Sequence, residues 1–185
     1  MGRRPERIQL KSADQIAVMR EAGLVVAHAL EEMRVAAAPG VSTADLDDIA
    51  RGVLAKAGAT SSFLGYDIGS GPYPGVICAS VNDQVVHGIP SASQKLRDGD
   101  LISVDFGAIV DGWHGDAAIS IPIGEVSAEV TALSDACRES LWDGLAVARA
   151  GGRLTDISHA VEQSIRAAGA FGIVAGYGGH GIGTA

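Results

Sequence analysis

Apolar residues recur along this chain with two different periods, and the changeovers between them mark its elements. Behind Ser12-Ala13-Asp14-Gln15, which has capping-box spacing, Ile16, Met19, Gly23, Val26, Leu30 and Met33 fall three or four residues apart. That spacing predicts a long amphipathic helix running to about Ala38, with Pro39-Gly40 as its stop. A second helix is predicted from near Thr43, with Asp45, Asp47 and Asp48 in its first turn, through Leu46, Ile49, Val53 and Leu54 to Gly58. The character then changes. Thr60 to Tyr66, Gly75 to Val81, Val85-Val86, Asp100 to Val110 and Trp113 to Ile123 read as strands separated by Gly, Pro and Asp-Gly. Asp111-Gly112 is a preferred two-residue hairpin turn and joins the last two of these. Helical periodicity returns from Ser127 to Arg149, breaks at Gly151-Gly152, and resumes from Thr155 to Ala168 before Gly169.

The recurrence has a fixed offset. Sliding the chain by 111 residues lays Gly40 on Gly151, Leu46 on Ile157, Leu54 on Ile165 and Ala57-Gly58-Ala59 on Ala168-Gly169-Ala170. Two αα-then-β units are expected, and chance similarity between Ala-rich helices is the alternative. A second unit as long as the first would need roughly 50 residues more than the chain supplies, so the second unit is expected to be incomplete.

Composition narrows the class. With 185 residues, 47% apolar and 19% charged, the chain can close one core and is not disordered. The 14 basic and 22 acidic side chains leave a net charge of -8, which disfavours a general grip on nucleic acid or anionic lipid. Cys78 and Cys137 form no C-x-x-C pair, so a reducing compartment is expected. Arg3, Arg4, Arg7 and Lys11 make a short basic arm with no apolar segment after it, so neither a secretory nor a twin-arginine signal is complete. No apolar run approaches the ~18 residues of a membrane span. A cytoplasmic protein is expected.

The hairpin carries the first chemistry. A two-residue turn at Asp111-Gly112 pairs Asp105 with Ala118 and so puts Asp116 diagonally beside Asp105 on one face. Diagonal Cβ atoms lie roughly 7 Å apart, close enough for both carboxylates to reach one cation. Asp105 follows Leu101, Ile102 and Val104, where a buried strand would place another apolar residue, and no Lys or Arg lies between Arg97 and Arg138. A same-face acidic pair there calls for a metal, with a salt bridge from elsewhere in the fold as the alternative.

Two histidines stand out from the remainder. His180 projects from Gly176-Tyr177-Gly178-Gly179-His180-Gly181-Ile182-Gly183, a bare backbone that an ion or ligand can approach. A phosphate-binding loop is the competing reading, but no Lys-Ser/Thr follows and the glycine spacing differs from the dinucleotide fingerprint. His87, in Val85-Val86-His87-Gly88-Ile89-Pro90, sits at a predicted strand end and is either structural or at a cleft rim. His28, His114, His159 and Cys137 are assigned no chemistry.

The segments V-V-H-G-I-P, S-V-D-F-G-A-I-V-D-G-W-H-G-D and G-Y-G-G-H-G-I-G, in this order and spacing, resemble the type I methionine aminopeptidases of the pita-bread (creatinase/aminopeptidase) fold. S-A-D-Q-I-A-V-M-R-E-A-G and V-S-T-A-D-L-D-D-I-A extend the resemblance, which runs from about Ile8 to Gly183. It implies an α+β fold of two pseudo-symmetric αα-β halves, about 12–124 and 127–185, within a single catalytic domain whose second half is incomplete. It also implies two divalent metal ions in the complete family site (Co, Mn, Fe or Zn), with Asp105 a ligand of one, Asp116 bridging both and His180 a ligand of the second. His87 corresponds to the histidine that hydrogen-bonds the scissile amide, and Tyr73 and Cys78 to positions lining the pocket for the substrate's methionine. The implied reaction removes the initiator methionine from nascent chains with a small second residue, with the ribosome as a further candidate contact and a monomer as the complete form.

The chain departs from that pattern in its ligands. The family's two C-terminal glutamates and a second histidine shortly after the glycine-rich one have no counterpart before Ala185, so the reading expects a truncated chain that binds at most one ion, weakly, with little activity and an exposed apolar sheet edge. A non-catalytic pita-bread binding module and a proline-specific peptidase of the same fold are the alternatives. Keeping Asp105, Asp116, His180 and His87 together favours the enzyme over the module.

Overall fold

Residues 9–69 and 71–184 are described here from a computed structural model, so the Arg3, Arg4 and Arg7 arm lies outside the described residues. Helix α1, Ala13–Ala36, begins with the expected reciprocal cap between Ser12 and Gln15. Helix α2, Thr43–Ala57, opens with a second such box, Ser42 with Asp45, and closes at Gly58 in the left-handed conformation, φ 63°. Strands β1 (Thr60–Ser61), β2 (Ile77–Val81), β3 (Leu101–Val110) and β4 (Trp113–Pro122) form one antiparallel sheet. Strand β3 is its spine, with β4 along one side and β1 and β2 along the other. Helices α3 (Ala128–Val147) and α4 (Leu154–Ala168) follow, and α4 covers the positions of α2 shifted by 111 residues. The shifted glycines differ, because Gly169 is extended where Gly58 is left-handed.

Two strand expectations are corrected. Of Thr60 to Tyr66 only Thr60–Ser61 pairs, because the Ser61 hydroxyl accepts from the N–H groups of Phe63 and Leu64 and folds the chain into a turn. Val85-Val86 is not a strand. Strand β2 ends at Val81, where Asn82 turns left-handed (φ 56°), and both valines are exposed.

Alternation along β3 divides the sheet into two faces. Ile102, Val104, Phe106 and Ala108 are buried with Met33, Leu46, Ala50 and Ile77 in the core under α1 and α2. On β4 the same face carries Gly115, where a Cβ would run into the backbone of Ala22 and Gly23; only a glycine lets α1 lie this close. The opposite face carries Ser103, Asp105 and Gly107. A cleft of about 470 Å³ opens between α1 and β4, lined by Val26, Leu30, Ala117, Ile119 and Asp116 among others. Helices α3 and α4 pack chiefly on each other, and α4 buries no residue, leaving Leu141, Trp142, Leu145 and Leu154 exposed.

Asp47 ties α2 to the sheet. Its carboxylate, 6% exposed, accepts from the backbone N–H groups of Val76 (2.6 Å) and Ile77 (3.1 Å), while Arg51 pairs with its other oxygen at 2.7 Å. Asp47→Ala would strand two buried donors, and the expected loss is about 2–4 kcal/mol. Urea unfolding will check it; Asp47→Asn, which keeps one acceptor oxygen, should lose less.

Candidate metal centre

The turn expected at Asp111-Gly112 forms with both residues at positive φ, 46° and 79°, matching the type I′ pattern. Register follows from it: Asp105 pairs with Ala118 and Gly107 with Asp116. The two aspartates are therefore diagonal neighbours on the sheet face turned away from α1 and α2. On the other side of β3, Cys78 stands directly opposite Asp105. Three adjacent strands thus present Cys78, Asp105 and Asp116 on one surface.

The acidic pair is electrostatically uncomfortable. Burial raises Asp105, the charge of Asp116 raises it further, and the hydrogen bond shared with Asp116 favours its neutral form, so it is pushed from 3.8 up to about 6. The Phe106 N–H and His180 act in the opposite direction with smaller effect. His180 comes from the glycine-rich segment, held to β4 by the bond from the His114 N–H to the Gly183 carbonyl, 2.9 Å. Its Nε2 lies 3.8 Å from Asp116 Oδ2, too far for a hydrogen bond. Its Nδ1 is 3.0 Å from the Gly181 carbonyl. A carbonyl only accepts, so Nδ1 carries a hydrogen, and Nε2 is the ring nitrogen turned toward Asp116.

The donors fit a divalent cation in kind: two carboxyls and an imidazole whose tautomer is fixed by a backbone carbonyl. Nε2 and Oδ2 are separated by less than twice the ~2.1 Å of a typical metal–donor contact. Among the described residues, no three His, Cys, Asp or Glu side chains are drawn tightly enough to cage an ion as they stand. The arrangement is an open donor set.

Around it lie the other expected residues. Tyr73 is buried, with its hydroxyl 2.9 Å from the Ile77 carbonyl and 3.0 Å from that of Gly88. It also shares a hydrogen bond with the Cys78 thiol. Burial and the two nearby carboxylates push that thiol upward despite the Tyr73 bond, so Cys78 stays protonated, a small neutral wall and not a nucleophile. His87 is exposed at φ 59°, a conformation costing about 1–3 kcal/mol for a non-glycine residue. Its ring meets that of Tyr177 edge-on at 6.3 Å, which links it to the segment bearing His180.

Asp47, which bonds the Ile77 N–H, and Tyr177 are members of this assembly that sequence reading did not single out. The signals available were the i,i+4 pair of Asp47 with Arg51 and the lone aromatic in the glycine-rich run. His114, assigned no chemistry, bonds Ser62 Oγ through Nδ1 at 2.9 Å and serves packing at the same end of the sheet.

Comparison with known proteins places the chain in a family. Residues 17–185 match the model of metallopeptidase family M24. The chain is 55% identical over 178 residues to methionine aminopeptidase 1 of Mycobacterium tuberculosis, covering 94% of this chain and 65% of that protein. It is 43% identical to methionine aminopeptidase 1 of Bacillus subtilis, over 94% of this chain and 67% of that one. The chain thus spans about two thirds of the length of these relatives. A solved methionine aminopeptidase from Thermotoga maritima superposes with a TM-score of 0.90 at 34% identity, covering 96% of this chain and 70% of that one. The architecture is therefore the pita-bread fold. With the match extending over both helix pairs, the acidic hairpin and the glycine-rich segment, the chain belongs to metallopeptidase family M24.

Proposed function

We propose that this chain is a metal-dependent methionyl aminopeptidase, acting on the N-terminal methionine of nascent polypeptides with a small second residue. The observation that carries the reading is the shared face of Asp105 and Asp116 with Nε2 of His180 3.8 Å from Asp116 Oδ2. The names of the M. tuberculosis, B. subtilis and T. maritima relatives support it. Helices α3 and α4, offset by 111 residues from the first pair, would open the second of two related units.

In this reading Asp105, Asp116 and His180 hold divalent metal. When bound, such an ion supplies Lewis-acid polarisation of the substrate carbonyl and a lowered pKa for water at the site. The chain's own residues do the rest. Cys78, neutral and facing the carboxylates, and the Tyr73 ring beside it offer an apolar surface to a methionine side chain. His87, on its raised left-handed backbone, donates or accepts at the scissile amide and steadies charge developing there. An apolar thiol and ring carry no charge to bind a free carboxylate, so selection rests on the shape of the first side chain.

Three ligands on this chain fill at most one metal site, so the expected stoichiometry is one ion per chain, held weakly. Calorimetric titration with Mn²⁺ or Co²⁺ should show this, with at least tenfold weaker binding in Asp105→Asn, Asp116→Asn and His180→Ala. With Mn²⁺, methionine should be released slowly from Met-Ala-Ser and not from Met-Trp-Ser, and His87→Ala should lower kcat by about 10²-fold or more. A protein that takes up neither ion would refute the reading.

Metal-free stability should also carry a signature of Asp105. Its folded pKa, about 6, lies above its ordinary 3.8, so the folded chain keeps a proton that the unfolded chain has lost. This contribution is fully present below about pH 4 and disappears as pH rises to about 6. Melting temperatures of the wild type and Asp105→Asn, compared across pH 4 to 7, should diverge with that sign, and saturating Mn²⁺ should restore the wild type at the upper end.

A further inference from the structure

His87 occupies a left-handed backbone position that a residue with a Cβ rarely adopts, φ 59°, so its surroundings must hold it there. The hold is applied one residue later. The Gly88 carbonyl accepts from the Ala79 N–H at 2.8 Å and from the Tyr73 hydroxyl at 3.0 Å, and the Gly88 N–H donates to Ser80 Oγ at 3.1 Å. Gly88 can make these contacts because it has no side chain: a Cβ there would collide with the Ala79 carbonyl. Tyr73 is only 4% exposed, and its single O–H hydrogen is shared between the Gly88 carbonyl and the Ile77 carbonyl, the latter 2.9 Å away. Ile77 is itself pinned, through its N–H, by Asp47. The result is a strap that fastens the His87 turn onto β2, the strand whose Cys78 faces Asp105.

We propose that Tyr73, through its hydroxyl, and Gly88, through its missing side chain, are positioning residues that fix the His87 turn against β2 and its ring against Tyr177. The proposal rests on the reading of His87 as the residue at the scissile amide. It separates Tyr73 from a simple wall of a methionine pocket, for which the ring alone would matter and Tyr73→Phe would be silent.

Amide exchange by NMR on the ¹⁵N-labelled 185-residue chain tests the strap without needing turnover. In Tyr73→Phe and in Gly88→Ala, the Gly88 and Ala79 amides should exchange at least about tenfold faster, and cross-relaxation between the His87 and Tyr177 rings should vanish. The Ile102 and Val104 amides in β3 should stay within about twofold of wild type. Exchange unchanged at Gly88 and Ala79, or accelerated equally throughout β3, overturns the proposal. Should Tyr73→Phe not fold, Ser80→Ala, which removes only the acceptor of the Gly88 N–H, must accelerate Gly88 exchange and weaken the ring contact; a silent Ser80→Ala overturns it equally.

Kinetics on Met-Ala-Ser supply a second arm. Tyr73→Phe should lower kcat about tenfold with KM unchanged, and should cost nothing further in a His87→Ala background, because its effect passes through that histidine. Additive losses would overturn it. Absence of turnover together with the exchange pattern above would count against the aminopeptidase reading and leave the strap standing.

Discussion

Everything at this site depends on the register of one β-ribbon. Because side chains alternate strictly between faces, a slip of one residue between β3 and β4 would turn Asp116 toward α1 and leave Asp105 alone on the far side. The left-handed pair at Asp111-Gly112 prevents that slip, and the Ile102, Val104 and Phe106 side chains buried beneath the helices oppose it again. Folding free energy from the apolar face therefore holds together, on the polar face, two carboxyls that repel each other. Their mutual repulsion is visible in Asp105, which burial and Asp116 push up to about 6. In the proposed metal site a divalent cation would reverse the sign of that interaction, turning a local liability of the fold into binding energy.

Glycines make the two-faced sheet workable, and they act on opposite faces. Gly115 lets the backbone of α1 approach the core side of β4. Gly107, on the site side of β3, leaves room for Ser62 and the Phe63 ring, which a Cβ there would strike. Both lie between Asp105 and Asp116 in sequence, so the ribbon that carries the acidic pair also needs close neighbours on each face. That dual demand accounts for the mixture of apolar, acidic and glycine residues between Leu101 and Asp116, which would be an odd composition for a strand with only a core to serve.

The legible parts of this molecule were those governed by short-range rules. Ser12 with Gln15 capped α1 as its spacing required, Gly58 closed α2, and the Asp-Gly dipeptide fixed the pairing of Asp105 with Ala118. Long-range partners decided the rest. Nothing local in Val85-Val86 reveals that Asn82 ends β2 by bonding Asp100 and Leu101, eighteen and nineteen residues away. Nothing local in Asp47 reveals that its acceptors are spent on Val76 and Ile77. The hydroxyl of Tyr73 was equally opaque, since a tyrosine beside a pocket and a tyrosine strapping a turn have the same sequence signature. The roles themselves came from the resemblance of whole motifs, because a single histidine in a glycine-rich run admits several chemistries.

The contrast between the two helix pairs shows how position along the chain maps onto packing. Pairs α1–α2 and α3–α4 share loop spacing and an identical offset for their second helices. The first pair lies on a sheet and buries Ala22, Val26, Ala29, Leu30 and Met33 from α1 alone. The second pair buries only Ala136, Ser140 and Gly144 from α3 and nothing from α4, although α4 keeps its apolar residues at helical spacing. Equal patterning with unequal burial means the stripe on α4 does not gain its stability from the contacts described here. Its helicity rests on local propensity, on the Arg153 N–H capped by Asp156 and on α3, where a Cβ on Gly144 would strike Val161. The glycine-rich segment that delivers His180 extends from this less anchored pair. The His180 imidazole is accordingly tied to the fold mainly through the Gly183 bond to His114 and the ring contact of Tyr177 with His87, while both carboxyls are fixed by ten residue pairs of β-ribbon. In the proposed metal site the acidic donors are therefore held by more of the fold than the histidine is, and a bound cation would add a tie on the His180 side.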